Sequence, residues 1–506
     1  MTMTSFAVRV PPRPAAVRLD YVLLRRAFLV FGLAMVFVAP FTPDPIEFVV
    51  GAFVPWLVLR IVGTPALPAA IVFYLLWQWL QVYARTLVGI VDGEEMARGV
   101  FGPWVLDAYW YMLASIVILA LAMRVVLGTV RPPTHHFATA HFAWRPVDLF
   151  QVYLGAVLIA SAGRFLSDLV PALDQPMEAV ARVKLIALLM LFGGILSLGK
   201  GIPFLVAAVV LELLVGFSGI LSDFRSIFIV LFVSALAVRI RWTALTSIVA
   251  GAAVVLLVTL GLFWTSVKAD FREVATGSDD SQNVKVSLSA RFSYLGSRMA
   301  SAGDIDWSYA SYGLLSRLAY VDIFGSVIGV KLVAPEQGSF RQWTDALAHV
   351  FQPRFLFPDK ASLSDTEVFV RLARGDISEQ VRMATSISVG YMAENYADLG
   401  FPGMLAGVFM IGVFVAAACR YFMTVPLPWL VREGIVLAFI YAISHNGVEI
   451  SLPKLLGAMI MSFAVYALMI RFAFPIAVRW LYTRAATARL LEMRRRQARA
   501  ARAARP

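Results

Sequence analysis

TALTSIVAGAAVVLLVTLGLFWTSVKADFR, residues 243–272, decides the fold of this chain. Up to Ser266 the stretch is apolar and unbroken; at Lys268, Asp270 and Arg272 it turns abruptly charged. A bilayer core about 30 Å thick takes roughly 20 apolar residues per helix, so the first part reads as one membrane span. Its apolar residues are continuous rather than alternating, which points to a helix and not to a barrel strand. The charged part opens an interval, from Lys268 to Asn395, in which no apolar run is long and clean enough to cross a bilayer. That interval holds 15 of the 32 acidic residues and 13 of the 44 Lys and Arg. Polar groups in a membrane protein gather where water and chemistry are, so function is sought there first.

Working outward, hydrophobic runs crowd both sides. Sixty per cent hydrophobic and only 15% charged residues over 506 positions lie far outside the soluble range. Twelve candidate spans fall near 26–41, 46–62, 66–84, 104–129, 147–165, 180–198, 202–219, 225–239, 243–266, 400–421, 428–446 and 455–474. The expected fold is therefore an all-α polytopic membrane protein with about twelve transmembrane helices and one large, partly helical loop. Its expected parts are a basic cytoplasmic segment 1–26, spans one to nine over 27–266, the loop 267–395, spans ten to twelve over 396–474, and an Arg-rich cytoplasmic tail 475–506. The first apolar stretch lacks a small-residue cleavage site and is followed by many spans, so it reads as a retained helix rather than a signal peptide.

The net charge of +12 is carried by the ends: +4 in the first 26 residues and +8 from Arg479 onward. Positive ends mark cytoplasmic termini and attraction to anionic headgroups, not a nucleic-acid partner. Arg60, Arg131, Arg145, Lys200, Arg239, Arg241 and Arg420 fall in connections on the same side as those ends, whereas the first outer connection, FTPDP at 41–45, has no basic residue. With both termini inside, the loop lies outside the cell membrane, which in a bacterium is the periplasmic face. Within it, 307–330 carries Leu314, Leu315, Leu318, Val321, Phe324, Val327 and Ile328 at helical spacings, with Arg317 and Asp322 between. This reads as an amphipathic helix on the outer leaflet or over a cavity. A second short amphipathic segment covers 341–352, and the Ala/Arg tail reads as a helix at the membrane surface.

Several chemistries are excluded by missing motifs. There is no phosphate loop, no H-E-x-x-H and no paired C-x-x-C. Of five His, His135, His136 and His141 share one connection assigned to the cytoplasm, and Cys419 is the single cysteine. No metal site and no cofactor are expected. What remains is a loop with nine Arg: Arg272, Arg291, Arg298, Arg317, Arg341, Arg354, Arg371, Arg374 and Arg382. A merely solvated loop would use Lys freely, whereas Arg offers a planar fork for phosphate or carboxylate oxygens.

Three strings carry a family resemblance. PRFLFPDK at 353–360, with Pro353, Arg354, Pro358 and Lys360, is similar to a stretch in the large outer loop of bacterial polysaccharide polymerases. AENYADLGFPGMLAGVF at 393–409 resembles their return into the membrane through Glu394, Tyr396, Gly400, Gly403 and Gly407. VKADFR at 267–272 and the Arg291 region look like their exit from the preceding span. In order and spacing, over roughly 220–420, the chain resembles Wzy-type O-antigen or exopolysaccharide polymerases, and less closely the O-antigen ligases; Phe357 stands where the family usually has tryptophan.

The resemblance implies transfer of a glycan from an undecaprenyl diphosphate carrier to a sugar hydroxyl of a second lipid-linked oligosaccharide, in the bacterial inner membrane, without metal or nucleotide. Membrane lipids, a chain-length regulator and a flippase are the implied partners. A departing lipid diphosphate calls for cations: Arg225 in SDFRS, Arg272, Arg291, Arg354, Lys360 and Arg382. The attacking hydroxyl calls for a base: Glu394 first, then Asp365 and His445 of SHNG. Each has a plainer reading. Glu394 also suits a helix N-terminus, His445 a structural hydrogen bond, Arg225 snorkelling beside Asp223, and the matched glycines close helix packing.

Overall fold

The computed structural model describes residues 20–64, 67–99, 102–131, 140–218, 225–276, 286–301, 303, 305–333, 340–352, 357, 364–373 and 387–503. Among them every regular element is a helix. The first half comprises α1 (Tyr21–Val38), α2 (Pro45–Val62), α3 (Ala69–Asp92), α4 (Trp104–Leu127), α5 (Pro146–Leu169), α6 (Asp174–Ala181), α7 (Val183–Leu198), α8 (Ile202–Ser218), α9 (Arg225–Ala237) and α10 (Ala244–Thr276). The polar interval adds α11 (Leu288–Ala300), α12 (Trp307–Leu318), α13 (Val321–Val333), α14 (Arg341–Phe351) and α15 (Asp365–Ala373). The chain closes with α16 (Tyr391–Thr424), α17 (Trp429–Ser444), α18 (Leu452–Phe472) and α19 (Phe474–Ala503).

In their described residues the twelve apolar stretches are largely helical, 180–198 being divided between α6 and α7. Eight helical segments among the described residues are long and apolar enough to cross a membrane, or nine if the bent pair α12–α13 is one span. The chain is thus a polytopic helical membrane protein. The remaining stretches differ for readable reasons. α8, α9 and α17 are short. α3 interrupts its apolar face with Gln78, Gln81 and Arg85, all buried inside the bundle.

The centre is built from α3, α7 and α17. In α7, VKLIALLMLFGGILSL, nearly every residue is apolar, and Leu185 to Ile195 are buried on all sides. A helix apolar all round belongs in a core or in lipid, and here other helices surround it. Close approach is possible because a Cβ on Gly434 of α17 would stand 2.8 Å from Ile186 Cγ2; small residues bring membrane helices together this way. By contrast α10 exposes most of its apolar length, including Ile248, Val254 and Val255, as a lipid-facing helix does.

The described helices of the polar interval fold back onto the bundle. α10 continues ten residues past the expected end of its span, to Thr276, and carries Lys268 and Arg272 with it. Val267, Phe271 and Ala275 bury against Trp264 and against Leu295 of α11, which keeps the extension helical. Segment 307–330 is two helices bent by 51°, rather than one surface helix. In the second, Val321, Phe324, Val327 and Ile328 are buried. Gly325 and Gly329 lie one turn apart and admit Val105 and Trp104 of α4, so this helix sinks into the bundle instead of lying on it. The segment expected at 341–352 appears as α14.

α16 starts at Tyr391, so Glu394 lies on that helix and not in a loop. It breaks at Gly400 (φ 61°) and Phe401, and continues to Thr424. A left-handed residue suits Gly, so matched Gly400 marks the break. Matched Gly407 makes room for the Asn395 side chain, which a Cβ would overlap. At the opposite end of the chain α19 docks through Leu481 and Ala485, and its Arg484 joins Arg145 around Asp148.

Candidate anion site at one end of the bundle

The site is organised by the connection between α17 and α18, residues 445–451. Gly447 begins a 3-10 turn with φ +64°, a conformation Gly adopts without strain. Gln81 of α3 grips both sides of the turn. Its Nε2 donates to the Asn446 carbonyl at 3.2 Å, and its Oε1 accepts the Val448 N–H at 2.8 Å. The Tyr391 N–H donates to the Ile450 carbonyl at 2.7 Å. Glu394, 1% exposed, accepts the Leu452 N–H at 2.6 Å. Buried backbone groups at a helix start need partners of this kind.

Cations from three helices surround that connection. Arg225, the first residue of α9, donates from Nη2 to Asn446 Oδ1 at 3.4 Å. Lys268 lies within electrostatic reach of Arg225, Arg272 and Arg317, and of Glu449 on the 3-10 turn. Arg317 reaches the cluster because α12 lies along α10, where a Cβ on Gly313 would meet Thr265 Cγ2 at 3.3 Å. Lys268 and Arg272 are four residues apart and so share a helix face. Burial raises the Glu449 carboxyl above its ordinary range and Arg225 and Arg317 oppose that; Asp365 pushes it further up and Lys268 holds it down.

His445 lies beside the same cations. Its Nδ1 faces the Tyr441 carbonyl at 3.2 Å. A carbonyl only accepts, so Nδ1 carries the hydrogen and Nε2 keeps its lone pair. Burial foremost, then Arg182 and Arg225, pushes the imidazole down to about 4. It is therefore neutral at neutral pH.

A second set of contacts braces the far side. Asp365 accepts Ser451 Oγ at 2.9 Å and Lys454 Nζ at 2.6 Å. Asp398 accepts the Gln342 and Trp343 N–H groups at 3.1 and 3.0 Å, capping α14, and Trp343 Nε1 donates to Asn395 Oδ1 at 3.0 Å. Lys331 donates to the Tyr396 and Ala397 carbonyls at 2.7 and 3.0 Å, just before the break in α16. The Tyr320 hydroxyl donates to the Ser388 carbonyl. Cations on terminal carbonyls and carboxylates on terminal N–H groups both suit the helix dipole.

Of the residues singled out in the sequence, Arg225, Arg272 and His445 are thus brought together. Glu394 and Asp365 bind the adjoining start of α18. Glu394 caps that helix rather than its own. Arg291 lies on α11, beside α10. Arg354, Lys360 and Arg382 lie outside the described residues, as does most of PRFLFPDK; Phe357 within it is exposed. Lys268, Arg317 and Glu449 complete the cluster and were not chosen from the sequence as site residues. The i, i+4 spacing of Lys268 and Arg272 was the available signal, readable only if the helix runs on past Ser266.

Among the described residues no group of three or more His, Cys, Asp and Glu side chains is gathered as a metal site. What the arrangement offers is a concentrated positive field at a helix-bundle end, with one neutral imidazole and one carboxylate inside it. No family model matches this chain, and comparison with curated proteins and with solved structures found none similar to it.

Proposed function

We propose that this protein is a glycosyltransferase-type polymerase that joins lipid diphosphate-linked oligosaccharide units at the outer face of a bacterial inner membrane. The observation that carries this reading is the convergence of Arg225, Lys268 and Arg317 on one loop, with Arg272 beside Lys268 and Arg317. Like charges held together cost stability, and a protein keeps them where an anion is to be bound. A diphosphate leaving group develops negative charge as its bond to the sugar breaks, and prearranged cations lower that barrier without reorganising. Arg354, Lys360 and Arg382 would add to the field from the loop, and Arg291 from α11. On this reading twelve spans leave both termini in the cytoplasm, the polar interval outside, and the Arg-rich ends on the anionic inner surface. A ligase acting on another acceptor uses the same chemistry. A chain-length regulator and a flippase are the expected protein partners.

A second reading, a transporter of lipid-linked sugars, has its own observation. Lys184 of α7 pairs with Glu212 of α8 at 2.8 Å, and the Tyr153 hydroxyl donates to the same carboxylate at 2.9 Å. Ionisable groups inside spans are common in transporters. This trio is mutually satisfied, and so serves equally as a structural tie.

Two measurements separate these readings. Purified protein given lipid-linked repeat units in detergent, with chelator and without nucleotide, is expected to produce a ladder of lengthened glycans, because the donor's diphosphate bond supplies the driving force. Folded protein that binds these lipids and yields no ladder would favour the transporter. In cells, reporter fusions after residue 280 are expected to be active outside the cytoplasm, and those after residue 490 inside. A cytoplasmically active reporter at 280 would remove the cation cluster from the face where such lipids are extended.

A further inference from the structure

The geometry points to Glu449 as the group that takes the proton from the attacking sugar hydroxyl. This rests on the polymerase reading above. Three other groups were candidates; two are held by other partners and the third is a weak base. Glu394 is 1% exposed and holds the Leu452 N–H. Asp365 is tied to Ser451 and Lys454. His445 is a weak base, held neutral by burial and by Arg182 and Arg225. Glu449 sits on the 3-10 turn that Gln81 clamps, three residues from Asn446, which Arg225 touches. Its carboxylate is thereby placed among the cations that would receive the diphosphate.

The reaction balances as a displacement. The acceptor oxygen forms a bond to the anomeric carbon, and the bond from that carbon to the phosphate oxygen breaks. The electron pair leaves on the lipid diphosphate, held by Arg225, Lys268 and Arg317, and the hydroxyl proton passes to Glu449 and then to water. The charge pattern adds a gate. Without donor, the groups facing Glu449 among the described residues are Arg225 from α9, Lys268 from α10, Arg317 from α12 and Asp365 from α15; it also faces the Tyr320 phenol. The three cations favour the ionised carboxylate and so weaken it as a base. A bound diphosphate neutralises them, which raises the proton affinity of Glu449 when the leaving group is in place.

The test uses the full-length protein in detergent with lipid-linked repeat units, chelator present. Initial rates, donor affinity and pH profile are measured for wild type, Glu449→Gln and Glu449→Asp. Glu449→Gln is expected to lose roughly 100-fold or more in rate, the scale of general-base catalysis, with donor binding equal or tighter because a competing negative charge is gone. Glu449→Asp is expected to fall between. The wild-type rate is expected to rise with pH along an acid limb above the ordinary carboxylate range, because the base must be ionised; Glu449→Gln loses that limb. A Glu449→Gln rate within about threefold of wild type, with the limb retained, would overturn this assignment and leave the polymerase standing. No ladder from donor-binding wild type would instead overturn the polymerase reading itself. Should Glu449→Gln fail to fold, a wild-type profile without the acid limb, or Glu449→Asp at full rate with an unshifted limb, would overturn the assignment.

Discussion

Replacing Arg225 by alanine is expected to lower the rate of glycan extension on the order of 100-fold or more, the cost of deleting one prearranged charge stabiliser at a reacting oxygen. Arg225 opens α9 and touches Asn446 of the loop that carries Glu449, so its guanidinium stands where the other cations converge. The charge lost cannot be made up by Lys268 or Arg317, which are anchored on α10 and α12. Arg225→Lys is expected to recover part of the rate, since it restores the charge without the planar fork. The measurement is the initial rate of ladder formation at saturating donor, with folded protein verified by its thermal midpoint. A rate for Arg225→Ala near wild type would return Arg225 to the snorkelling role its sequence position also allows.

The second large effect is expected at Gly447. Its φ of +64° makes any L side chain strained, and a Cβ there would overlap the Gln81 amide oxygen and stand 2.9 Å from Trp77 Nε1. The left-handed conformation costs alanine about 1 kcal/mol. Displacing Gln81 forfeits its bonds to Asn446 and Val448, each about 1 kcal/mol. Gly447→Ala is therefore expected to destabilise by about 3 kcal/mol and lower the thermal midpoint. Extension is expected to fall at least about tenfold, because small misplacements of catalytic groups are expensive. Gly155→Ala is the control: nothing lies within 4 Å of its Cβ position, and neither reading should change. A Gly447→Ala variant as stable and active as wild type would show that the clamp on this loop is dispensable.

The ease of reading differed from element to element. α10 was legible to Ser266 because lipid imposes a simple rule on composition, and illegible beyond it because nothing local announces that Val267, Phe271 and Ala275 will bury against α11. The bend between α12 and α13 was hidden for the same reason. Apolar residues at helical spacing are the same whether a helix lies on a leaflet or sinks beside α4, and only the fit of Gly325 and Gly329 to Val105 and Trp104 distinguishes the two. Among site residues, Arg225, Arg272 and His445 stood out by type and by nearness to a span end. Glu449 did not, since one acid in a short connection is unremarkable until its neighbours are known.

By itself the sequence determined the class: apolar runs of bilayer length force backbone groups into helices, and the segregation of charge to the ends and one interval follows from the cost of burying charge in lipid. Only the tertiary structure decided that Arg225, Lys268 and Arg317 meet around residues 445–449, with Arg272 beside the last two. The loop lies far along the chain from these cations, 220 residues separating Arg225 from His445, and a field is made by distances in space, which no spacing along the chain records.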